Sequence, residues 1–200
     1  MGPSLPYSEA CERNRAPIAA VLQEAFVSCR TVLEIGSGTG QHAVFFAHRF
    51  PSLTWIATDL PDNHWGIQAW IANAGLPNVK GPLALDVTET VWPVETVDAV
   101  FTANTMHIMS WPQVQAMFLG IGRVLVSGGV LVLYGPLHYG GKPTSESNAR
   151  FDAFLRERDP HSGIRDFEAV EKLASGQGLV LRHDHALPAN NRALVFVKEG

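Results

Sequence analysis

A nine-residue stretch near the N-terminus constrains the fold of this chain more than any other feature. Residues 32–40 read VLEIGSGTG, an apolar run with one acidic residue followed by three glycines at alternate positions. The apolar part suits a buried parallel strand. Glycine tolerates positive φ and lets the backbone approach a ligand, and the helix predicted from residue 41 would direct its free N–H groups towards that ligand. The stretch therefore predicts a strand–loop–helix unit that binds a nucleotide-like molecule.

The spacing of the glycines argues against a dinucleotide. Dinucleotide-binding loops follow the pattern G-x-G-x-x-G, with the pyrophosphate at the helix N-terminus. Here the third glycine, Gly40, comes one residue early, and Gln41 occupies the expected position. Glu34 also places a negative charge near the loop, where it would repel a pyrophosphate. The sequence therefore favours a nucleotide-like ligand other than a dinucleotide, and an NAD-linked Rossmann oxidoreductase is kept as the alternative.

Length and charge limit the other functions open to this chain. A length of 200 residues suits one α/β domain, which we place over residues 1–200. The net charge is −4 and Lys and Arg form no sizeable cluster, which argues against a nucleic-acid partner. Cys11 and Cys29 lack metal-type spacing and are expected to be reduced thiols of a cytoplasmic protein. No apolar run is long enough to predict a membrane span, and the oligomeric state is left open.

Strand-like and helix-like segments alternate along the chain. Predicted strands cover residues 31–35, 53–58, 83–87, 97–102, 130–134, 179–186 and 192–198. Predicted helices cover residues 8–28, 41–49, 110–125, 148–158 and 167–175, with a further helix ending at residue 72. Pro17 is expected to break the first helix, and Gly128-Gly129 to form the turn before the fifth strand. This alternation predicts an α/β fold with a largely parallel sheet and helices on both faces.

The pattern changes after residue 134. Residues 135–150 are rich in Gly, Pro, Ser and His, and a connection of that length is usually functional or disordered. The last two predicted strands are separated by LPANN, which indicates an antiparallel pair at the end of the chain. A pair of this kind is an unusual ending for a dinucleotide-binding domain.

Several longer motifs carry a resemblance to a known family. They are ACERNR at residues 10–15, LEIGSGTGQHA at 33–43, ANTMHIMSW at 103–111, LYGP at 133–136, TSESN at 144–148, GIRD at 163–166 and LPANN at 187–191. Over about residues 8–198 the chain resembles the methyltransferase-like 26 family, a poorly characterised group of class I S-adenosylmethionine-dependent methyltransferases. The resemblance implies a Rossmann-like seven-stranded sheet with an antiparallel last strand and S-adenosyl-L-methionine as cofactor, and implies little about the substrate.

The resemblance also suggests which residues hold the cofactor. Gly36, Gly38 and Gly40 would cradle it, and Glu34 is expected to anchor the loop or, indirectly, the ammonium group. Asp59 is placed to accept from the ribose hydroxyls, as at the equivalent strand end of dinucleotide folds. Asp86 resembles the acid that accepts from the adenine amino group, Leu60 and Val87 would supply apolar walls for the ring, and Asn104 would offer its backbone carbonyl. Residues 1–28 are expected to form a helical lid, from which Arg13 would pair with the methionine carboxylate.

Methyl transfer itself requires alignment of the reacting atoms and at most the removal of one proton. His107, at the carboxyl edge of the predicted sheet, is the candidate base, and Tyr134 is a second catalytic candidate. Residues expected to bind the substrate are His138, Tyr139, Arg165, Asn190 and Asn191. His183 and His185 share a strand face, but without a third placed ligand no metal site is predicted.

The sequence thus favours a methyltransferase acting on O, N or S of a small molecule. The base-methylating motif of two prolines and an aromatic residue is absent after the fourth strand, where the chain reads NTMH. A non-catalytic binding protein on the same fold and a peptide-methylating enzyme remain alternatives, beside the NAD-linked enzyme.

Overall fold

The computed structural model of the protein describes residues 5–200, and its centre is a seven-stranded sheet. The helices are α1 (Glu9–Ala25), α2 (Gln41–Arg49), α3 (His64–Ala74), α4 (Trp111–Val124), α5 (Glu146–Arg158) and α6 (Phe167–Ser175), with a short 3-10 helix at Pro61–Asn63. The strands are β1 (Thr31–Ile35), β2 (Thr54–Asp59), β3 (Val79–Ala84), β4 (Val97–Ala103), β5 (Leu125–Gly135), β6 (Leu137–Tyr139), β7 (Lys142–Pro143), β8 (Arg165–Asp166), β9 (Leu179–Leu187) and β10 (Asn191–Lys198).

The strand order in the main sheet is β3-β2-β1-β4-β5-β10-β9. The first five strands pair in parallel, whereas β10 runs antiparallel to both of its neighbours. Strands β2 and β3 lie on one side of β1, and β4 and β5 lie on its other side, so the strand order reverses between β1 and β4. Open α/β sheets bind ligands in the crevice outside the carboxyl ends of the strands at such a reversal. The topology therefore points to the carboxyl ends of β1 and β4.

Helices cover both faces of the sheet because the central strands are apolar on both sides. Val32 of β1 packs in one cluster, which includes Ile18 of α1, Phe46 of α2 and Ile67 of α3. Leu33 and Ile35 pack in the other cluster, which includes Phe118 of α4 and Val170 of α6. Since successive side chains of a strand point to opposite faces, one short run of residues supplies both halves of the core.

The predicted fold class is confirmed, including the seven strands, the helices on both faces and the antiparallel pair at the end of the chain. The prediction for the third strand was wrong: β3 lies at Val79–Ala84 and not at residues 83–87. The predicted strand began after Gly81-Pro82, whereas β3 includes both residues; β3 is the edge strand, where a residue without an N–H group is tolerated. Asp86 therefore follows the strand and does not lie within it.

Two predicted interruptions also differ from the structure. Helix α1 continues through Pro17. Strand β5 begins at Leu125 and absorbs Gly128 and Gly129, because its register with β4 shifts between Val97 and Ala99 and so accommodates the extra residues. The predicted turn at Gly128-Gly129 thus corresponds to an irregularity within a continuous strand, whereas the predicted break at Pro17 was wrong.

Residues 135–150 are ordered into short elements. Strands β6 and β7 pair antiparallel, and β8 joins β6 in parallel to make a second, three-stranded sheet. Helix α5 then begins at Glu146, two residues before the predicted start, because the Ser145 hydroxyl accepts the N–H of Asn148 at 3.1 Å and caps the helix.

Glu34 fixes the glycine loop from beneath. Its side chain is 2% exposed, and its Oε2 atom accepts the Ser37 hydroxyl at 2.8 Å and the Trp55 indole N–H at 3.0 Å. Burial raises the pKa of this carboxyl to about 7, although the two hydrogen bonds oppose the increase. Ionisation of Glu34 is therefore unfavourable in the folded protein.

We expect Glu34→Gln to change the pH dependence of stability. The folded pKa of Glu34 is raised to about 7, above that of an unfolded chain, so the wild-type free energy of unfolding should fall as pH rises from about 4 to 7. The variant stays neutral, so relative to wild type it should gain about 3 kcal/mol across that window. Urea unfolding at both ends of the window measures this difference, with exposed Glu95→Gln as the control. A constant difference between wild type and Glu34→Gln would contradict the assignment.

Candidate active site

The glycine loop adopts a conformation that only glycine tolerates readily. Gly36 has φ +74° and Gly38 has φ +57°. A Cβ atom on Gly36 would lie 2.8 Å from the Thr105 side chain, whereas one on Gly38 would meet nothing within 4 Å. Gly36 is thus required for packing against the segment after β4, and Gly38 leaves bare backbone facing open space.

The N–H groups of this loop already have protein partners. The carbonyl of Thr58 accepts the N–H of Gly36 at 3.1 Å and that of Ser37 at 2.9 Å. The Asp59 carboxylate accepts the N–H of Gly38 at 2.7 Å. Phosphate-binding loops instead direct free N–H groups at the anion. The loop is therefore not arranged to bind a pyrophosphate.

Gly40 allows close packing between two helices. It precedes α2 with φ +90°, and a Cβ atom there would lie 2.8 Å from the backbone of Ile67 in α3. This packing explains the glycine, and the predicted contact of Gly40 with the cofactor stays a prediction.

A cavity of about 420 Å³ lies at the carboxyl ends of β1, β2 and β4. The sequence-predicted cofactor residues in its wall are Gly36, Gly38, Asp59, Leu60, Asp86, Val87 and Asn104. Helix α1 and the residue before it contribute Ser8, Ala10 and Cys11 from the opposite side. A cavity of this volume falls within the usual range for small-molecule sites.

Two carboxylates face this first cavity. Asp59 is 8% exposed, and its Oδ1 atom accepts the Leu60 N–H and the Asn63 side-chain amide, each at 2.8 Å. The Oδ1 atom of Asp86 accepts the N–H of Thr88 at 2.9 Å and its hydroxyl at 2.7 Å, and these hydrogen bonds lower the pKa of Asp86. Each oxygen of an ionised carboxylate can accept more than one hydrogen bond, so both groups retain acceptor capacity.

The described wall of the first cavity is negatively charged. Among residues 5–200, its lining contains Asp59 and Asp86 but no Lys or Arg. Phosphate groups are recognised mainly by Arg, Lys and free N–H groups, whereas carboxylates favour a cation or hydroxyl donors. The chemistry of this cavity therefore suits a phosphate-free, positively charged nucleoside.

A second cavity, of about 550 Å³, adjoins the first. The two share Ala10 and Asn104 in their walls. Asn104 has φ +57°, in the left-handed region, which it reaches directly after β4. The second cavity is closed by α1, α5 and the connection between β9 and β10. Ligands in the two cavities would therefore lie on either side of a shared wall that includes Asn104.

Both predicted catalytic residues line the second cavity. Burial, together with the positive charge of Arg165, lowers the pKa of His107 to about 4. Burial raises the pKa of Tyr134, although a hydrogen bond with the Asn14 side chain opposes the increase. Near neutral pH, His107 is therefore an uncharged, weak base and Tyr134 is a protonated phenol.

Arg13 also lines the second cavity and not the first. Its Nη1 atom forms an exposed ion pair with Glu9 at 3.1 Å. The structure thus places Arg13 in the same wall as the predicted catalytic residues His107 and Tyr134, and outside the wall that contains Asp59 and Asp86.

Of the predicted substrate residues, only Asn191 lines either cavity. Arg165 instead donates to the carbonyls of Met106, Met109 and His161, which fixes the segment after β4. The Asn190 side-chain amide donates to Ser147 at 3.2 Å. Arg165 thus binds backbone carbonyls, and Asn190 binds Ser147, which itself lines the second cavity.

His138 and Tyr139 lie in β6, outside both walls. The Tyr139 hydroxyl donates to Asp184 at 2.8 Å, and its ring stacks on Phe167 with the centroids 5.0 Å apart. The sequence pattern could not reveal this, because β6 belongs to the small second sheet that was not predicted.

A buried polar chain links the two cavities and was missed in the sequence. His42 lines the first cavity and is 5% exposed, and Asn14 lines the second and is 7% exposed. The His42 Nε2 atom lies 2.7 Å from Asn14 Oδ1, and the Cys11 thiol lies 3.9 Å from His42 Nδ1. The only sequence signal was that Cys11 and Asn14 fall within the ACERNR motif and His42 within the LEIGSGTGQHA motif.

Residues 5–200 contain no group of three or more His, Cys, Asp and Glu side chains placed to hold a metal ion. His183 and His185 stack with their ring centroids 5.3 Å apart on β9. Over the same range, the structure has no helix whose length and hydropathy would suit a bilayer crossing.

The fold is shared with solved methyltransferases. An O-methyltransferase family protein from Burkholderia thailandensis superposes with a TM-score of 0.84 and 17% identity, covering 96% of this chain and 58% of that one. Human N-acetylserotonin methyltransferase, solved with SAM, gives a TM-score of 0.79 and 14% identity over 96% of this chain and 53% of that one. At such identities, the likeness establishes the fold, which is that of S-adenosylmethionine-dependent methyltransferases.

A sequence relative is the fatty-acid O-methyltransferase of Mycolicibacterium smegmatis. It is 30% identical over 129 residues, which cover 62% of this chain and 45% of the relative. The chain therefore spans about half the length of the relatives it matches. A family profile described as "Protein of unknown function (DUF938)" matches residues 5–198, so the chain belongs to that family.

Proposed function

We propose that this protein is an S-adenosyl-L-methionine-dependent methyltransferase that methylates O, N or S of a small molecule. The observation that carries the proposal is the first cavity, whose wall, as far as residues 5–200 form it, combines Asp59 and Asp86 with no Lys or Arg. S-adenosylmethionine is a cationic nucleoside without phosphate, and the site residues fit it. The methyltransferase fold and the M. smegmatis relative support the same function.

Each group in the first cavity would have a distinct part in holding the cofactor. Asp59 would accept from the ribose hydroxyls, and Asp86 from the adenine amino group. Leu60 and Val87 would lie against the ring, and Asn104 would stand at the junction with the second cavity. The bare backbone at Gly38 leaves room for close approach.

The second cavity is the proposed site of the methyl acceptor. The cofactor supplies an activated methyl group bound to a positively charged sulfur. The protein then needs only to exclude water and to align the acceptor atom with that methyl group. His107, Tyr134 and Asn191 line the cavity and would orient the acceptor through hydrogen bonds.

Several finer features remain proposals. We place the chain in the methyltransferase-like 26 group and treat residues 1–200 as one domain with residues 1–28 as a lid. The lid is supported by Ser8, Ala10 and Cys11, which line the first cavity. A cytoplasmic location is supported by the two cysteines, both of which are free thiols. A small-molecule substrate, and no nucleic acid, is favoured by the net charge of −4.

An NAD-linked oxidoreductase is the alternative that the site disfavours. The Thr58 carbonyl and the Asp59 carboxylate already accept the loop N–H groups that would bind a pyrophosphate. The absence of Lys and Arg from the described wall of the first cavity points the same way.

We expect S-adenosylmethionine and S-adenosylhomocysteine, but not NAD, to raise the thermal unfolding midpoint. A ligand at 100 times its dissociation constant adds roughly 2.7 kcal/mol, or about 5–10 °C for a domain of this length. Thermal scans with the three ligands in parallel measure this. A shift with NAD alone would contradict the proposed cofactor, and binding without turnover on any acceptor would favour a non-catalytic binding protein.

We expect Asp59→Ala to weaken S-adenosylhomocysteine binding by roughly 10- to 100-fold, because a carboxylate that accepts hydrogen bonds is removed. Titration calorimetry measures the affinity, and the midpoint of the ligand-free protein shows whether the fold is kept. Asp62→Ala is the matched control, since Asp62 is an exposed carboxylate in the same turn. Equal affinities for Asp59→Ala and wild type would remove Asp59 from the site.

A further inference from the structure

The second cavity carries one formal charge, and it is positive. Its described wall contains Arg13 but no Asp, Glu or Lys, although the chain as a whole has a net charge of −4. Arg13 pairs with Glu9 through Nη1 only, and a guanidinium has five N–H donors. The other N–H groups are therefore available to an anion in the cavity.

The remainder of the wall is largely apolar. It includes Pro17, Pro136, Phe151, Pro188 and Ala189. Rigid apolar side chains of this kind favour a ligand with a hydrocarbon body. With Arg13, they describe a site for a molecule that is apolar along most of its length and anionic at one end.

Tyr134 supplies a hydroxyl to the wall of the second cavity. Burial raises the pKa of this phenol, so the hydroxyl keeps its proton near neutral pH. A protonated hydroxyl can donate a hydrogen bond to a ligand. A ligand beside Tyr134 is therefore expected to present an acceptor atom there.

The described residues of the second cavity offer no strong base to remove a proton from a neutral acceptor. Burial lowers the pKa of His107 to about 4 and raises that of Tyr134. An alcohol or an ammonium group would have to lose a proton before or during methyl transfer. A carboxylate has an ordinary pKa near 4 and arrives already deprotonated.

We propose that the second cavity binds a small carboxylic acid with an apolar body, held by Arg13 and Tyr134, and that the protein converts it to its methyl ester. This inference rests on the methyltransferase function proposed above and names its substrate class. A carboxylate oxygen gives an electron pair to the methyl carbon, and the new C–O bond forms as the C–S bond breaks. Sulfur keeps the electrons of that bond, so the products are a methyl ester and S-adenosylhomocysteine, with no proton transferred.

The first test compares acids with neutral molecules of the same shape. Hexanoate, octanoate and 3-phenylpropanoate are titrated at neutral pH into protein saturated with S-adenosylhomocysteine, beside the corresponding amides and alcohols. We expect at least one acid to bind roughly tenfold or more tightly than its amide, the effect typical of one charged hydrogen bond. With methyl-tritiated S-adenosylmethionine, the label should enter a product that releases methanol in alkali.

The second test uses matched arginine variants. Arg13→Met should weaken acid binding by roughly 10- to 100-fold while leaving the affinity for S-adenosylhomocysteine within about twofold. Arg150→Met should change neither, because Arg150 forms a similar exposed pair with Glu146 on α5 but lies outside the second cavity.

Three results would overturn the substrate class. The first is equal binding of acids and amides, or no binding of either. The second is a methylated alcohol, stable in alkali, as the main product. The third is an Arg13→Met variant that loses affinity for S-adenosylhomocysteine and keeps its affinity for the acid. Failure of wild-type protein to bind S-adenosylhomocysteine at all would instead overturn the methyltransferase function itself. The cofactor titration, made first, separates these two failures.

Discussion

Hydrogen bonds between the glycine loop and the end of β2 are the constraint on which the site depends. The Thr58 carbonyl and the Asp59 carboxylate accept the N–H groups of Gly36, Ser37 and Gly38, and buried Glu34 holds the Ser37 hydroxyl from below. A loop held in this way has few free donors for an anion. The site instead exposes the Asp59 carboxylate and the backbone at Gly38 to the first cavity. Because the N–H groups of the loop are already bound, the site suits a cation better than a phosphate group.

The two cavities divide the proposed chemistry between opposite charges. The first has Asp59 and Asp86 in its wall, and the second has Arg13. The cavities meet at Ala10 and Asn104, so a cationic ligand and an anionic ligand would be brought together at one point. Helix α1 contributes to both walls, and its residue Asn14 joins His42 and so connects the sides of this junction. The N-terminal helix is thus part of the site as well as part of the core.

Burial has opposite consequences for the titratable groups around the site. It raises the pKa of Glu34 to about 7 and lowers that of His107 to about 4, so both groups are driven towards their neutral forms. Asp86 stays ionised because hydrogen bonds from Thr88 lower its pKa. Burial thus favours the neutral form of both an acid and a base, as expected in a medium of low dielectric constant.

The sequence by itself determined the parallel sheet, the glycine loop and the order of the elements, because apolar periodicity and glycine spacing are local properties. It also named Asp59 and Asn104, which lie at the ends of recognisable strands, and Asp86, although the strand before Asp86 was misplaced. Tertiary structure decided the rest: that Arg13 faces the second cavity, that Arg165 and Tyr139 are used for structure, and that His42 and Asn14 join the two sides. Those outcomes depend on how helices and the small second sheet pack against distant residues, and no local pattern encodes that packing.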